Sequence, residues 1–210
     1  MPRFAVIVLL LALLPTGAGA QAAELFGYRE LRQSDISPFT QWLSVLERHV
    51  TEDVPEADCS ERRFNRCHLR QWRAFLDGLR GRPLTEQLQA VNAYANRKPY
   101  VLDIDNYGIP DYWAVAREFL YNGGDCEDYA ITKLFSLLWL GVAPERMRLV
   151  VLQDTNLRIP HAVLAVFTDD GRTLILDNQI QAVVEDRSIV HYVPVYSINQ
   201  QAWWIHTPRS

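Results

Sequence analysis

Apolar residues recur at helical spacing through the first two thirds of the chain and fall into short blocks after that. Phe39, Trp42, Leu43, Leu46 and Val50 lie three and four apart, behind Ser37 as an N-cap and Pro38 at the first helical position. They predict a helix to about Glu52. Leu69, Trp72, Leu76 and Leu79 predict a second helix ending near Gly81. Leu88, Val91 and Tyr94 mark a third, opening near Pro83-Leu84-Thr85 and stopping before Lys98-Pro99. Residues 100–112 read as a loop carrying Asp103, Asp105 and Asp111, and a short helix over 113–121 follows. After Gly123-Gly124 a further helix runs from Cys126 through Ile131, Leu134, Phe135, Leu138 and Trp139 to Gly141. Strand-like runs then cover 148–153, 161–168, 173–178 and 193–198. Helices first and an antiparallel sheet after them predict an α+β fold.

The N-terminus has a different texture. Arg3, the apolar run Phe4 to Leu14 and the small residues Ala18-Gly19-Ala20 have the order of a secretory signal peptide over 1–20. That run is shorter than the roughly 20 residues of a membrane span, so the expected product is exported, not membrane-embedded, and a single domain over 21–210. The chain carries a formal net charge of −4, one unit more negative once Arg3 is gone. A mildly acidic chain without a basic cluster argues against nucleic acid as partner. Cys59 and Cys67 sit eight apart in a polar, arginine-rich stretch, and in an oxidising compartment a local disulfide is the favoured reading. Metal binding by Cys59, Cys67 and His68 lacks a fourth ligand at zinc-site spacing.

Cys126 is left over, on the first turn of an apolar helix. Unpaired backbone N–H groups and the helix dipole favour a thiolate there, with thiol pKa values falling to roughly 3.5–7.5 when a cation is also near. A cysteine nucleophile needs a base, and the base needs an orienting group. His161 opens the strand run after Pro160, and Asp177 lies near the end of the next. If Asp169-Asp170-Gly171 is a three-residue hairpin loop with Gly171 left-handed, Thr168 pairs with Arg172 and Asp177 falls opposite Val163. Asp177 then shares a face with His161 as its diagonal neighbour. A two-residue loop would put it on the wrong face. His191 and His206 compete as bases, while His49 and His68 belong to the helical part.

Asp111-Tyr112-Trp113, Glu118-Phe119-Leu120 and the run from Gly123 to Ala130 together resemble the bacterial transglutaminase-like cysteine proteases. His161-Ala162-Val163-Leu164 and Leu176-Asp177-Asn178 continue the resemblance in order. It implies a papain-like, transglutaminase-type core in which N-terminal helices and the nucleophile helix pack on an antiparallel sheet, with Cys126, His161 and Asp177 as triad. It implies a periplasmic enzyme that depends on Ca2+ and cuts a large surface adhesin near its N-terminus, at a dialanine site. It also implies a partner that holds the enzyme inactive, the periplasmic domain of an inner-membrane cyclic-di-GMP receptor, so that biofilm release follows when the nucleotide falls.

The calcium expectation has separate physical support. Asp125, Glu127 and Asp128 flank the nucleophile, and their charge raises a thiol pKa. A divalent cation would cancel that penalty, with Asp125 and Glu127 as ligands and further oxygens from Asp103, Asp105, Asn106 and Asp111. Asp103-x-Asp105 with Gly108 mimics an EF-hand start, but its twelfth position is Ala114. The alternative role for Asp125 is an N-cap, with Asp128 favouring the dipole. The Cys126 N–H is one oxyanion donor; the second is Tyr112 or Trp113. Transglutamination, a peptidoglycan amidase or endopeptidase, and a non-catalytic calcium-binding module are the competing functions. Tyr107, Trp203 and Trp204 are aromatics to consider for a partner surface, with core packing as the alternative.

Overall fold

The computed structural model describes residues 24–51, 54–61 and 64–209; the expected signal peptide lies outside them. A 3-10 turn (Leu25–Gly27) leads into β1 (Arg29–Gln33), followed by α1 (Thr40–Val50), α2 (Arg66–Asp77) and α3 (Leu84–Ala95). Then come α4 (Asp103–Tyr107), α5 (Ala116–Asn122) and α6 (Cys126–Trp139). The sheet half holds β2 (Met147–Asp154), β3 (Ile159–Phe167), β4 (Thr173–Leu176), β5 (Val184–Glu185), β6 (Tyr192–Ile198) and β7 (Trp203–Thr207). All pairs in the sheet are antiparallel, in the order β1-β7-β6-β2-β3-β4-β5. The α+β expectation holds, and each main apolar stripe became an element within a few residues of its expected ends.

The two faces of the sheet have separate cores. Met147, Leu149, Leu164, Val166, Leu174 and Leu176 face the helices, where Trp42, Leu76, Leu88, Phe119, Ile131 and Leu134 meet them. Val150, Leu152, Val163, Ala165 and Ile175 face the other way, onto Leu25, Ile189 and Tyr192. Alternation along each strand produces this split. Helix α6 is buried from Glu127 to Leu137, taking Glu127, Asp128, Thr132, Lys133 and Ser136 inside along with its apolar residues.

Five elements differ from the sequence expectation, the two-residue β5 among them. The α1 helix starts at Thr40, because Ser37 and Pro38 form a turn before it. The Asp103 to Tyr107 stretch is helix, not loop. Strands β1 and β7 carry no alternating apolar signal: β1 is an edge strand, exposed at four of its five positions, so its charged side chains are compatible with pairing on one side only. The 59–67 disulfide is present, with Cα atoms 5.2 Å apart. Its loop is tied to α2 by Asn65, whose side chain accepts from the Cys67 N–H at 2.9 Å. Among the described residues, no helix is long and apolar enough to cross a membrane.

Candidate active site

Two glycines deliver Cys126 to its place. Gly123 ends α5 at φ 76°, and a Cβ there would come within 2.4 Å of the Pro99 carbonyl oxygen. A Cβ on Gly124 would meet Asp128 Oδ2 at 2.1 Å. The chain therefore passes tightly between residues 99–101 and the α6 start, with the Val101 N–H donating to the Gly124 carbonyl at 3.0 Å. Cys126 is then the first residue of α6.

The hairpin takes the longer loop. Gly171 has φ 79°, the Thr168 N–H donates to Arg172 O at 2.9 Å, and Leu164 pairs with Leu176. Asp177, one residue on, falls opposite Val163. The His161 ring meets Asp177 Oδ1 through Nε2 at 2.9 Å, with both side chains buried. Asp177 is held from two more directions: the Tyr192 hydroxyl donates to Oδ2 at 2.6 Å, and the Gln179 N–H to Oδ1 at 2.8 Å. Burial pushes this carboxyl up, but the His161 hydrogen bond and charge, with Tyr192 and Gln179, outweigh it and leave the group below the ordinary carboxylate value. Asp177 is thus an anion that accepts the Nε2–H; in the neutral form of the ring this leaves Nδ1 as the acceptor.

Cys126 and His161 line one cleft of about 370 Å³, together with Trp113, Glu127, Pro160 and Tyr196. The cleft lies where β3 starts, beside the N-terminus of α6. The thiol donates to Glu127 Oε2 at 3.2 Å. Burial, then the charge of Glu127, pushes the thiol well above its usual value, while a hydrogen bond from the Ala162 backbone works against this. Desolvation and the adjacent acids thus outweigh the dipole, whose worth is about 1 kcal/mol, so the helix start alone does not favour a thiolate here. The other histidines have settled roles. His49 stacks on Phe135 at 3.6 Å, His68 closes the capping box of α2, and His206 pairs with the Ser197 hydroxyl at 3.0 Å in the sheet. His191 packs its ring against Tyr192.

Acidic oxygens converge on the start of α6. Three groups each bring their atoms within 4.8 Å of one another: Asp125, Cys126 and Glu127; Asp103, Asp125 and Asp128; and Asp103, Asp111 and Glu127. Asp103 Oδ1, Asp125 Oδ1 and Asp128 Oδ2 are buried without a hydrogen-bond partner among the described residues. Asp125 stands at the N-cap position but makes no side-chain cap bond, so capping does not account for it. Burial is the first cause that raises four of these acids, with Glu127 pushed up to about 9, Asp128 to about 8 and Asp103 to about 6, and the half-buried Asp125 raised as well. Neighbouring carboxylates add to it. Orphaned, crowded, buried oxygens are what a hard divalent cation fits. Asp105, counted from the sequence as a donor, is exposed and outside these groups. Because α4 is a helix, residues two apart point to different sides, and Asp103 alone turns inward. Asp128 stands with Asp103 and Asp125 instead, a residue the sequence reading counted among the charges beside the thiol and for the helix dipole, not among the calcium ligands.

The wall opposite is held by Arg48. Its guanidinium donates to the Tyr112 hydroxyl at 2.8 Å, to Glu118 at 2.6 Å and to the Trp113 carbonyl. Tyr112 thus points its hydroxyl away from the cleft, and Trp113 is the one of the two that lines it. Tyr107 packs on Tyr112 at 4.2 Å, Trp203 on Phe39 at 5.2 Å, and Trp204 under Arg148. All three aromatics go to packing.

A cysteine at a helix start, sharing a cleft with an imidazole–carboxylate pair on an antiparallel sheet, defines a transglutaminase-like architecture. The chain belongs to the bacterial transglutaminase-like cysteine proteinases (BTLCP), whose sequence profile matches residues 57–209. Solved structures similar to it include Legionella pneumophila LapG at 28% identity and TM-score 0.61, over 78% of this chain and 86% of that one. The EGTA-treated form of the same protein aligns at TM-score 0.63 over 80% and 87%, again at 28% identity. Its calcium-bound form aligns at 0.63 and 28% identity over 80% and 89%. No curated protein matches the chain.

Proposed function

We propose that the protein is a periplasmic, calcium-dependent cysteine endopeptidase with Cys126 as nucleophile, His161 as base and Asp177 as orienting carboxylate. The observation that carries this reading is the buried 2.9 Å contact between His161 and Asp177 in the cleft that Cys126 lines. His161 Nδ1 takes the thiol proton as sulfur attacks the scissile carbonyl carbon. The oxyanion is met by the Cys126 N–H and by the Trp113 side of the cleft. As the C–N bond breaks, the ring returns the proton to the leaving amine. Water then attacks the thioester, giving one proton to the ring, which passes it back to the departing sulfur. Asp177 keeps Nε2 as the protonated nitrogen throughout.

Asp103, Asp111, Asp125, Glu127 and Asp128 would hold the calcium ion. When bound, it would neutralise the charge that keeps the thiol protonated and pin the 103–111 segment to α6. The calcium-bound form of LapG supports this choice of ion. The disulfide supports an oxidising compartment such as the periplasm. Within this reading the substrate is a large surface adhesin cut near its N-terminus, and a cyclic-di-GMP receptor's periplasmic domain restrains the enzyme. Family membership carries that part of the reading, and transamidation by capture of the same thioester with an amine is its alternative.

The deciding experiment is alkylation of Cys126 by iodoacetamide with calcium or with EGTA, alongside proteolysis of an adhesin N-terminal segment. Alkylation should be faster with calcium and slower by a factor of about 10² or more in His161→Ala, and proteolysis should vanish in Cys126→Ala. A thiol equally reactive in wild type and His161→Ala would overturn the assignment.

A further inference from the structure

The segment between β4 and β5 has no strand partner, yet it carries Asp177. Its support comes from α3, which turns Gln89, Asn92 and Asn96 to one side at spacings of three and four. Asn96 Nδ2 donates to the Asp177 carbonyl at 2.8 Å. Asn92 Nδ2 donates to the carbonyls of Ile180 at 3.3 Å and Gln181 at 3.1 Å. Gln89 donates to Gln181 O and accepts from the Val183 N–H, both at 3.0 Å. Three amide side chains thus grip the backbone of 177–183 along its length, and Asn92 does so from a fully buried position.

Gln179 sits in the middle of this gripped segment and reaches both members of the buried pair. Its main-chain N–H donates to Asp177 Oδ1 at 2.8 Å, and its side-chain Nε2 lies 3.4 Å from His161 Nδ1. With Asp177 taking Nε2–H, Nδ1 of the neutral ring carries a lone pair, and only the NH2 of the amide can address it. We propose that Gln179 is a positioning residue for His161. Held by the α3 amide row, it fixes the plane and tautomer of the ring so that the Nδ1 lone pair is presented to the cleft. The inference rests on the reading of His161 as base. The side chain is exposed and the contact is long, so the amide yields its place to the thiol proton at little cost.

The test uses the full chain with 15N-labelled histidine, His161 being assigned by its loss in His161→Ala. In wild type, Nε2 should appear protonated and Nδ1 unprotonated but hydrogen-bonded. Gln179→Met keeps the length of the side chain and removes the donor. It should move the Nδ1 resonance to a free lone-pair position, slow Cys126 alkylation about 2- to 10-fold and lower kcat by the same factor without changing KM, the worth of one neutral hydrogen bond. Asn92→Ala should act in the same direction and add nothing on top of Gln179→Met. Gln179 is exposed, so its variant folds even if Asn92→Ala does not. An unmoved Nδ1 resonance in Gln179→Met, or alkylation as fast as or faster than wild type, would overturn the proposal. If wild type and His161→Ala alkylate alike while the resonance still moves, the base assignment has failed and the contact has not.

Discussion

Lys133 is fully buried on α6, its ammonium without a hydrogen-bond partner among the described residues and 5.6 Å from the Tyr129 ring. Burial lowers its pKa from 10.5 to about 7, against the attraction of Asp177. In the unfolded chain the amine holds its proton to the ordinary value; in the fold it gives it up near neutrality. Between those limits the unfolded state binds more protons, so stability rises with pH from about 7 to about 10, and the whole penalty is present below pH 7. At 1.36 kcal/mol per pKa unit the ceiling is about 5 kcal/mol. The shift already includes the Asp177 attraction, so Lys133→Met removes the penalty and, beyond it, only the cation–π contact, worth about 2 kcal/mol when desolvated, and about 3 kcal/mol should remain. At 2–4 °C per kcal/mol for a chain of about this size, the variant should melt about 6–12 °C above wild type at pH 6. By pH 10 the gain should largely vanish. Calorimetric melts of both proteins at pH 6, 8 and 10 give the answer. A gain of equal size at every pH, or a variant less stable at pH 6, refutes the reasoning.

The acidic group should respond in the opposite sense. Glu127 and Asp128 keep protons to about 9 and about 8 in the metal-free fold, so the stability they confer is present at low pH and lost as pH rises through those values. The rise in Tm on adding calcium should therefore be larger at pH 8 than at pH 5, and equal increments at both would count against the site. Arg48→Met should cost about 2 kcal/mol for its charge-assisted bonds and weaken calcium binding measured by calorimetry, because the Tyr112 N–H it steadies donates to Asp103 Oδ2. An unaltered calcium Kd would show that α1 does not reach the acidic group.

The chemistry of this chain was more legible than some of its architecture. Asp177's face could be tied to the length of the 169–171 loop but not settled, because Gly171 suits a two-residue turn as well as the three-residue loop; the register decides it. The nucleophile turn was readable because Gly123 and Gly124 tolerate contacts no other residue could. Asp105 points away from the acidic group for a reason that local pattern hides: a five-residue helix with Ile104 as its one aliphatic residue cannot advertise itself by apolar period, so α4 read as loop. Strand β1 was missed because pairing at a sheet edge buries little and leaves no alternation to read, and β7, one place in from that edge, because Trp203-Trp204-Ile205 is a short run without alternation. The amide row of α3 was silent too. Gln89, Asn92 and Asn96 look like solvated positions until the backbone they hold is in place.

The pairing of β1 with β7, from Arg29 with Thr207 to Gln33 with Trp203, bears on how the molecule can be cut down. The segment that defines the family starts at residue 57, and it is tempting to treat it as the smallest piece worth expressing. A chain begun there would bare the β7 backbone to any passing strand, leave the holes vacated by Trp42 and Val45, and lose the guanidinium behind Trp113. The minimal soluble unit has to begin upstream of Arg29, with its two ends emerging side by side at the sheet border farthest from β5.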